Sequence, residues 1–223
     1  MTVIEGVTPE LVALRVAGEF PDGAYVNLGY GTIPSLVSNL IQEDKEVIFQ
    51  SENGVLGYGP VGDEGGWDPD LVTATGLPAT ELPGASYFDS SLSFAMLRGG
   101  HVDTTVLSAY QVSEKGDLAN WALSERDLRA VGGAMDLIAG VEKVFVAVQH
   151  TSPKGVPRIV RECTFPITAK GVVSLIFTDL AVMEVVPEGL SLKEIAPGLS
   201  VEQVQSVTEP RLIISKDLCE MRF

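Results

Sequence analysis

The sequence predicts an α/β protein: a mostly parallel open sheet with flanking helices, followed by a β-rich C-terminal part. Three observations carry this reading. Residues 24–50 run strand, glycine-rich turn, helix, strand, the order of a βαβ unit with parallel strands. Helix-then-strand passages follow at 90–108 and 134–148. From 158 onward the apolar stretches shorten into runs separated by Pro and Gly, which read as short strands. A chain of 223 residues, 45% hydrophobic and 20% charged, can bury a substantial core. No repeat, low-complexity tract or linker divides it, so residues 1–223 are expected to form one domain.

The elements follow in order. Thr8-Pro9-Glu10 carries a cap, a proline at the first helical position and an acid in the first turn, so a helix starts there. Leu11, Leu14, Val16 and Phe20 are expected to form its apolar face, and Pro21-Asp22-Gly23 ends it. Ala24 to Leu28 reads as a buried strand entering Gly29-Tyr30-Gly31. A helix is expected from Ser35 to Gln42, then a strand from Glu46 to Gln50. Ser90 to Leu97 reads as a helix closed by Gly99-Gly100, and Asp103 to Ser108 as a strand. Ala134 to Ala139 is a short helix before a strand at 143–148. Runs at 158–163, 172–178, 181–186 and 191–195 are β-like; 201–207 is a helix and 212–214 a last strand.

Composition excludes several function classes. A net charge of −15 disfavours nucleic acid, whose phosphates call for clustered Lys and Arg. Cys163 and Cys219 have neither metal-ligand nor redox spacing and read as free thiols. The start, MTVIEGVTPELVALRV, lacks the basic region and apolar core of a signal peptide, and no apolar run reaches the length of a membrane span. A cytoplasmic protein without membrane partners is expected. The apolar content slightly exceeds what a lone monomer needs, which fits a buried interface with another subunit.

Few candidate sites survive. His101 and His150 lie far apart and neither has a second ligand at helical spacing, so hydrogen-bonded structural roles are expected and no metal. Asp63, Glu64, Asp68 and Asp70 lack calcium-loop spacing. No Gly-x-Ser-x-Gly elbow is present, and Gly29-Tyr30-Gly31 lacks the third glycine of a dinucleotide fingerprint. What remains is FQSENGVLGYGP (49–60), where an apolar strand breaks at Glu52 among glycines. Glu52 is either a solvated turn residue or a reactive carboxylate at the strand end where α/β sheets bind ligands. Glycines at 29–31, 57–59 and 132–133 could back the second role. Kept from bulk water, a carboxylate attacks activated acyl groups, helped by backbone N–H groups that receive the oxyanion.

Six stretches carry a resemblance over nearly the whole chain: QSENGVLGYGP (50–60), LPGASYFDSSLSFAMLRGGHVDTTVLSAYQVSEKGDLANW (82–121), GGAMDL (132–137), TFPIT (164–168), FTDLAVMEV (177–185) and LKEIAPGLSVEQVQSVTEP (192–210). With them the chain resembles the β subunits of family I coenzyme A transferases, which include 3-oxoacid, acetate/acetoacetate and butyrate–acetoacetate CoA-transferases. The resemblance implies that Glu52 is the nucleophile and becomes a glutamyl-CoA thioester in a ping-pong cycle. It implies Asn53 and Gly54 beside that carboxylate, Gly132 and Gly133 on the CoA side, and Asn120 as either a site residue or a structural loop residue. It implies coenzyme A as a substrate rather than a bound cofactor, and a separate α subunit that completes the site.

Two departures stand out. The stretch ALSERDLRAVGGAMDL (122–137) drops the family's usual Pro and Gly approach and adds Arg126 and Arg129, and NLGYGTIP is one residue longer than NLGxGxP. Neither touches Glu52; both point to an acid specificity different from the succinate/3-oxoacid pair. Two alternatives stay open: an acyl-CoA thioester hydrolase with Glu52 as general base on water, and a non-catalytic acyl-CoA-binding subunit.

Overall fold

In the computed structural model, which describes residues 4–60, 68–124, 127–128 and 132–223, the N-terminal helix starts where its capping chemistry dictates. Helix α1 (Pro9–Gly18) is capped by Thr8, whose Oγ1 accepts the Leu11 N–H. Its buried stripe is Val12, Ala13, Val16 and Ala17, whereas Leu11 and Leu14 are only half-buried. The two alanines let the helix approach the sheet closely, so the small residues rather than the leucines face the core.

Strand β1 (Ala24–Leu28) is followed by a single 3-10 stretch, Pro34–Asn39, in place of the α-helix expected over 35–42. It has no side-chain cap, and Ser35, Ser38 and Asn39 are residues whose side chains compete for backbone groups. Strand β2 (Val47–Ser51) turns at once into β3 (Val55–Gly59), so the glycines at 57–59 belong to a strand and not to a loop. The edge strand β4 (Thr80–Tyr87) was also unforeseen; it contains Pro83 and Gly84 and is mostly exposed. Four of its residues, 82–85, bulge opposite Gly57, the one position where the β3 register shifts.

Helix α2 (Ser90–Arg98) is capped by Asp89, which accepts the Leu92 N–H at 2.9 Å. Then come β5 (Thr104–Leu107), β6 (Gln111–Ser113), β7 (Leu118–Ala119), β8 (Ala122–Ser124), β9 (Asp127–Leu128), the short α3 (Ala134–Leu137) and β10 (Lys143–Ala147). The C-terminal part holds β11 (Ile159–Val160), β12 (Val173–Phe177), β13 (Ala181–Val186), β14 (Gly189–Ile195), α4 (Val201–Ser206) and β15 (Ile213–Glu220). Ser200 and Gln203 form a capping box at α4.

Ten strands form one sheet in the order β15-β14-β13-β12-β10-β5-β1-β2-β3-β4. The central run from β12 to β2 is parallel, and antiparallel hairpins extend it on both sides. Side chains alternate across it. Phe145 and Ala147 join Val12, Val16 and Phe20 on one face, while Val144 and Val146 join Leu97, Leu137 and Ile176 on the other. The parallel strands all end at one edge, which places the exits of β1, β2 and β5 side by side. No helix among the described residues is long and apolar enough to cross a membrane.

Candidate active site

Glu52 is the first residue past β2, at the carboxyl end of the parallel run and in the turn to β3. Two backbone hydrogen bonds hold the turn. The Gly54 N–H donates to Ser51 O at 3.0 Å, and the Phe88 N–H donates to Gly54 O at 3.0 Å. Gly54 has φ +117, and a Cβ on it would collide with Phe88 O, so glycine is required twice over. Ala74 N–H donates to Ser51 Oγ at 2.8 Å, and the exposed Asn53 donates its amide to Val72 O at 2.7 Å. The Asn53 amide thus fastens the 71–79 segment to the turn, with Val72 O rather than the Glu52 carboxylate as its partner.

Beneath the turn lies a buried polar chain that the sequence reading missed. Thr105 Oγ1 donates to Asn27 Oδ1 at 3.0 Å; Asn27 Nδ2 donates to Gln50 Oε1 at 2.6 Å; Gln50 Nε2 donates to Ser93 Oγ at 2.6 Å. These four side chains come from β5, β1, β2 and α2, and none is more than 1% exposed. Buried polar groups persist when paired, and here each reaches the next. Gln50 lies two residues before Glu52, on the same side of β2 as α2. The available signal was two amides, Asn27 and Gln50, inside strands otherwise apolar enough to be buried.

The carboxylate itself is half-buried and has no hydrogen bond among the described residues. It lies against Gly133, where a Cβ would overlap Glu52 Oε2, fall 3.0 Å from its Cδ and come within 3.2 Å of the Phe94 ring. The backbone of Gly133 is ordinary, φ −87, so glycine stands there for space. Gly132 is the reverse case: φ +55, with nothing within 4 Å of where a Cβ would sit, so glycine stands there for conformation. Burial raises the Glu52 pKa above the ordinary glutamate value, and the negative charge of Asp136 on α3 raises it further. Asp136 is in turn bonded by Arg98 of α2 through both Nε and Nη2.

The other expected residues fall elsewhere. Asn120 accepts the Thr168 hydroxyl at 2.7 Å and donates to Ser108 O at 3.4 Å, holding the 164–168 segment to the exit of β5. Gly29 and Gly31 admit close approach of their own chain, with Leu107 and Ser108 where Cβ atoms would sit. His101 is exposed. His150 is fully buried between two threonines. Thr208 Oγ1 gives its proton to Val204 O and so accepts from His150 Nε2–H. Thr178 Oγ1 accepts the N–H groups of Leu180 and Ala181, donates to Ala181 O at 3.0 Å and lies 2.9 Å from His150 Nδ1. The ring is neutral, and burial pulls its pKa down to about 4. No cluster of potential metal ligands occurs among the described residues. Asp63, Glu64, Arg126 and Arg129 lie outside them.

Three comparisons place this geometry among known proteins. Residues 10–206 match the family model described as coenzyme A transferase. The chain is 46% identical over 208 residues to a subunit of the 3-oxoadipate CoA-transferase of Acinetobacter baylyi, covering 93% of this chain and 95% of that one. It is 44% identical over 211 residues to the beta subunit of the acetate CoA-transferase of Escherichia coli, covering 95% and 96%. An acyl-CoA transferase apoenzyme structure from Escherichia coli O157:H7 superposes with a TM-score of 0.77 at 22% identity, a likeness of fold. It covers all of this chain and 45% of that chain, so this chain spans a little under half the length of that solved protein.

Proposed function

The chain belongs to the coenzyme A transferase family, which moves CoA between an acyl-CoA and a carboxylic acid, and we propose that Glu52 is the nucleophile of that transfer here. One observation carries the assignment: a half-buried carboxylate at the exit of a parallel strand, with no hydrogen bond among the described residues and lying against the backbone of Gly133. A solvated turn glutamate would have neither the desolvation nor the close neighbour. With its lone pairs uncommitted among the described residues, the carboxylate is placed to attack.

The steps balance without water, ATP or a proton donor. A Glu52 oxygen attacks the acyl-CoA carbonyl, forming a C–O bond; the C–S bond breaks and CoA leaves as thiolate. The product on the enzyme is an acyl-glutamyl anhydride. The thiolate attacks the glutamyl Cδ, forming a thioester and releasing the donor acid as carboxylate. An acceptor carboxylate then runs the two steps in reverse and leaves as its CoA ester. Gly132 and Gly133 are the proposed backbone contacts for the thioester and its oxyanion. Asn53 and Gly54 hold the turn, and Asn120 supports the neighbouring strand exit.

The substrates are of the short-chain class: an acyl-CoA donor and an acid such as acetate, acetoacetate, butyrate or a similar 3-oxo acid. Relatives named for 3-oxoadipate and for acetate are almost equally similar, so identity favours neither acid. The partner is a separate α subunit in a hetero-oligomer. Relatives whose names make them single subunits support it, as does Tyr30, an 81% exposed aromatic just past β1, the strand paired with β2. With a net charge of −15, cations for the CoA phosphates would come chiefly from that partner. A single domain over 1–223 is supported by two cores that share one sheet.

Oxygen tracing tests the chemistry. In each turnover the released donor acid takes one oxygen from Glu52, and Glu52 regains one from the acceptor. With an 18O-carboxylate acceptor, label is expected in Glu52 and then in the donor acid. Solvent 18O in the released acid would instead assign Glu52 as general base of a hydrolase, and no turnover at all would leave a binding subunit.

A further inference from the structure

Helix α2 touches the Glu52 site at three points. At its start, Phe88 and Asp89 close on Gly54. At its middle, Ser93 holds Gln50 and Phe94 packs beside Gly133. At its end, Arg98 bonds Asp136, and a Cβ on Gly140 would collide with the carbonyls of Leu97 and Arg98, so the exit of α3 lies flush on α2. The Asp136 N–H donates to Gly133 O at 2.9 Å, which ties the acid to the glycine that meets Glu52.

We propose that Arg98 and Asp136 are positioning residues for Glu52: an ion pair that joins α2 to α3, seats Gly133 against the carboxylate and sets the local field there with opposing signs. The catalytic consequence rests on the reading of Glu52 as nucleophile; the electrostatic relationship does not. Arg98 and Asp136 are 59% and 42% exposed in their side chains. Pairs this exposed contribute little to stability. Its removal therefore leaves the fold intact, and its value lies in what it does to its neighbour.

Among the described residues, the charged groups on the elements packed around Glu52 are few. Asp136 is on α3. Helix α2 brings Arg98 and also Asp89, whose carboxylate is engaged by Ser91 and the Leu92 N–H. The β2–β3 hairpin adds Tyr58, buried and neutral, and the 71–79 segment has no titratable side chain. Strand β4 brings Tyr87 and Glu81, bonded to each other. Asp136 opposes ionisation of Glu52. Arg98 bonds Asp136, and its positive charge is proposed to offset that acid. Too much negative field protonates the nucleophile; too little makes it a weaker base and a weaker attacker. The pair holds a middle setting.

The test is the pH dependence of Glu52 modification by a water-soluble carbodiimide, followed by peptide mass on the enzyme purified with its partner subunit. Asp136→Asn is expected to move the Glu52 midpoint down and Arg98→Gln to move it up, with Arg98→Lys restoring the native midpoint. A simple brace between the helices would respond alike to both substitutions. Unchanged midpoints, or shifts in the same direction, overturn the proposal. The same preparations are exposed to acetyl-CoA, succinyl-CoA and acetoacetyl-CoA without acceptor. Opposed midpoints with no CoA on wild-type Glu52 would uphold the electrostatic pair and sink the nucleophile assignment separately.

Discussion

Glu52 Oε2 occupies the space that a side chain at residue 133 would need, and Gly133 adopts a backbone conformation any residue could take. The glycine is thus explained by its neighbour and not by its own dihedral angles. That separation between stability and chemistry makes the pair informative.

Gly133→Ala should fold normally, because the group it displaces is the far end of a flexible side chain. The displaced carboxylate should react poorly, since a misplacement near 1 Å costs about 100-fold in rate. The expected result is a Tm close to wild type with a kcat lowered by about that factor. A large drop in Tm with normal kcat per folded enzyme would contradict the geometry.

Glu52→Gln tests the cost of holding that charge half-buried. Glu52 has a folded pKa raised above its unfolded value, so the folded state binds the proton more tightly. The stability this contributes is present below the unfolded pKa and is lost as pH rises through the folded one. Glutamine avoids the loss. Thermal unfolding should find the variant inactive but more stable than wild type at neutral pH, with the advantage shrinking on acidification; equal curves at all pH values would refute the burial argument.

His150 has the opposite sign. Its folded pKa, about 4, lies below the ordinary histidine value of 6.5, so the unfolded chain binds the proton more tightly. Stability present above pH 6.5 is lost as pH falls toward 4, on the order of 3 kcal/mol. Urea unfolding of wild type and His150→Gln between about pH 4 and 7 should show the wild type losing this extra stability while the variant does not. Parallel curves would mean the imidazole is not buried neutral.

Gln50→Leu removes the central link of the chain from Thr105 to Ser93. It removes the side-chain partner of the Asn27 amide, which keeps only Gln50 O at 3.2 Å, and of the Ser93 hydroxyl, which keeps only Ser51 O at 3.5 Å, at about 1–3 kcal/mol in all. Chemical denaturation should register a loss of a few kcal/mol, although leucine is the more apolar residue. A neutral or stabilising effect would show that the amides are not engaged as the structure has them.

Much of the frame was legible in sequence because its signals are local. Thr8-Pro9-Glu10, the apolar run at 143–148 and the Pro- and Gly-separated strands after 158 each read correctly in isolation. Glycine and proline misled where they serve a bulge: Gly57, Pro83 and Gly84 look like loop punctuation yet lie in paired strands. The 34–39 segment had apolar content for a helix but serines where helix formers were needed. Glu52, Gly132 and Gly133 were named as candidates through the resemblance, and the structure brings Gly133 against Glu52. The chain Thr105–Asn27–Gln50–Ser93 was not, since its bonded pairs are 78, 23 and 43 residues apart and meet only through strand register and the docking of α2. Arg98 and Asp136, 38 residues apart, meet only because α3 lies on the end of α2.

The most direct test of the central claim is the mass of the Glu52 peptide after the enzyme, purified with its partner, meets a short acyl-CoA without acceptor. A gain of one CoA less water on that peptide, discharged by an added carboxylic acid and absent in Glu52→Gln, is the predicted result. Steady release of CoA into solution with the peptide unmodified would contradict it.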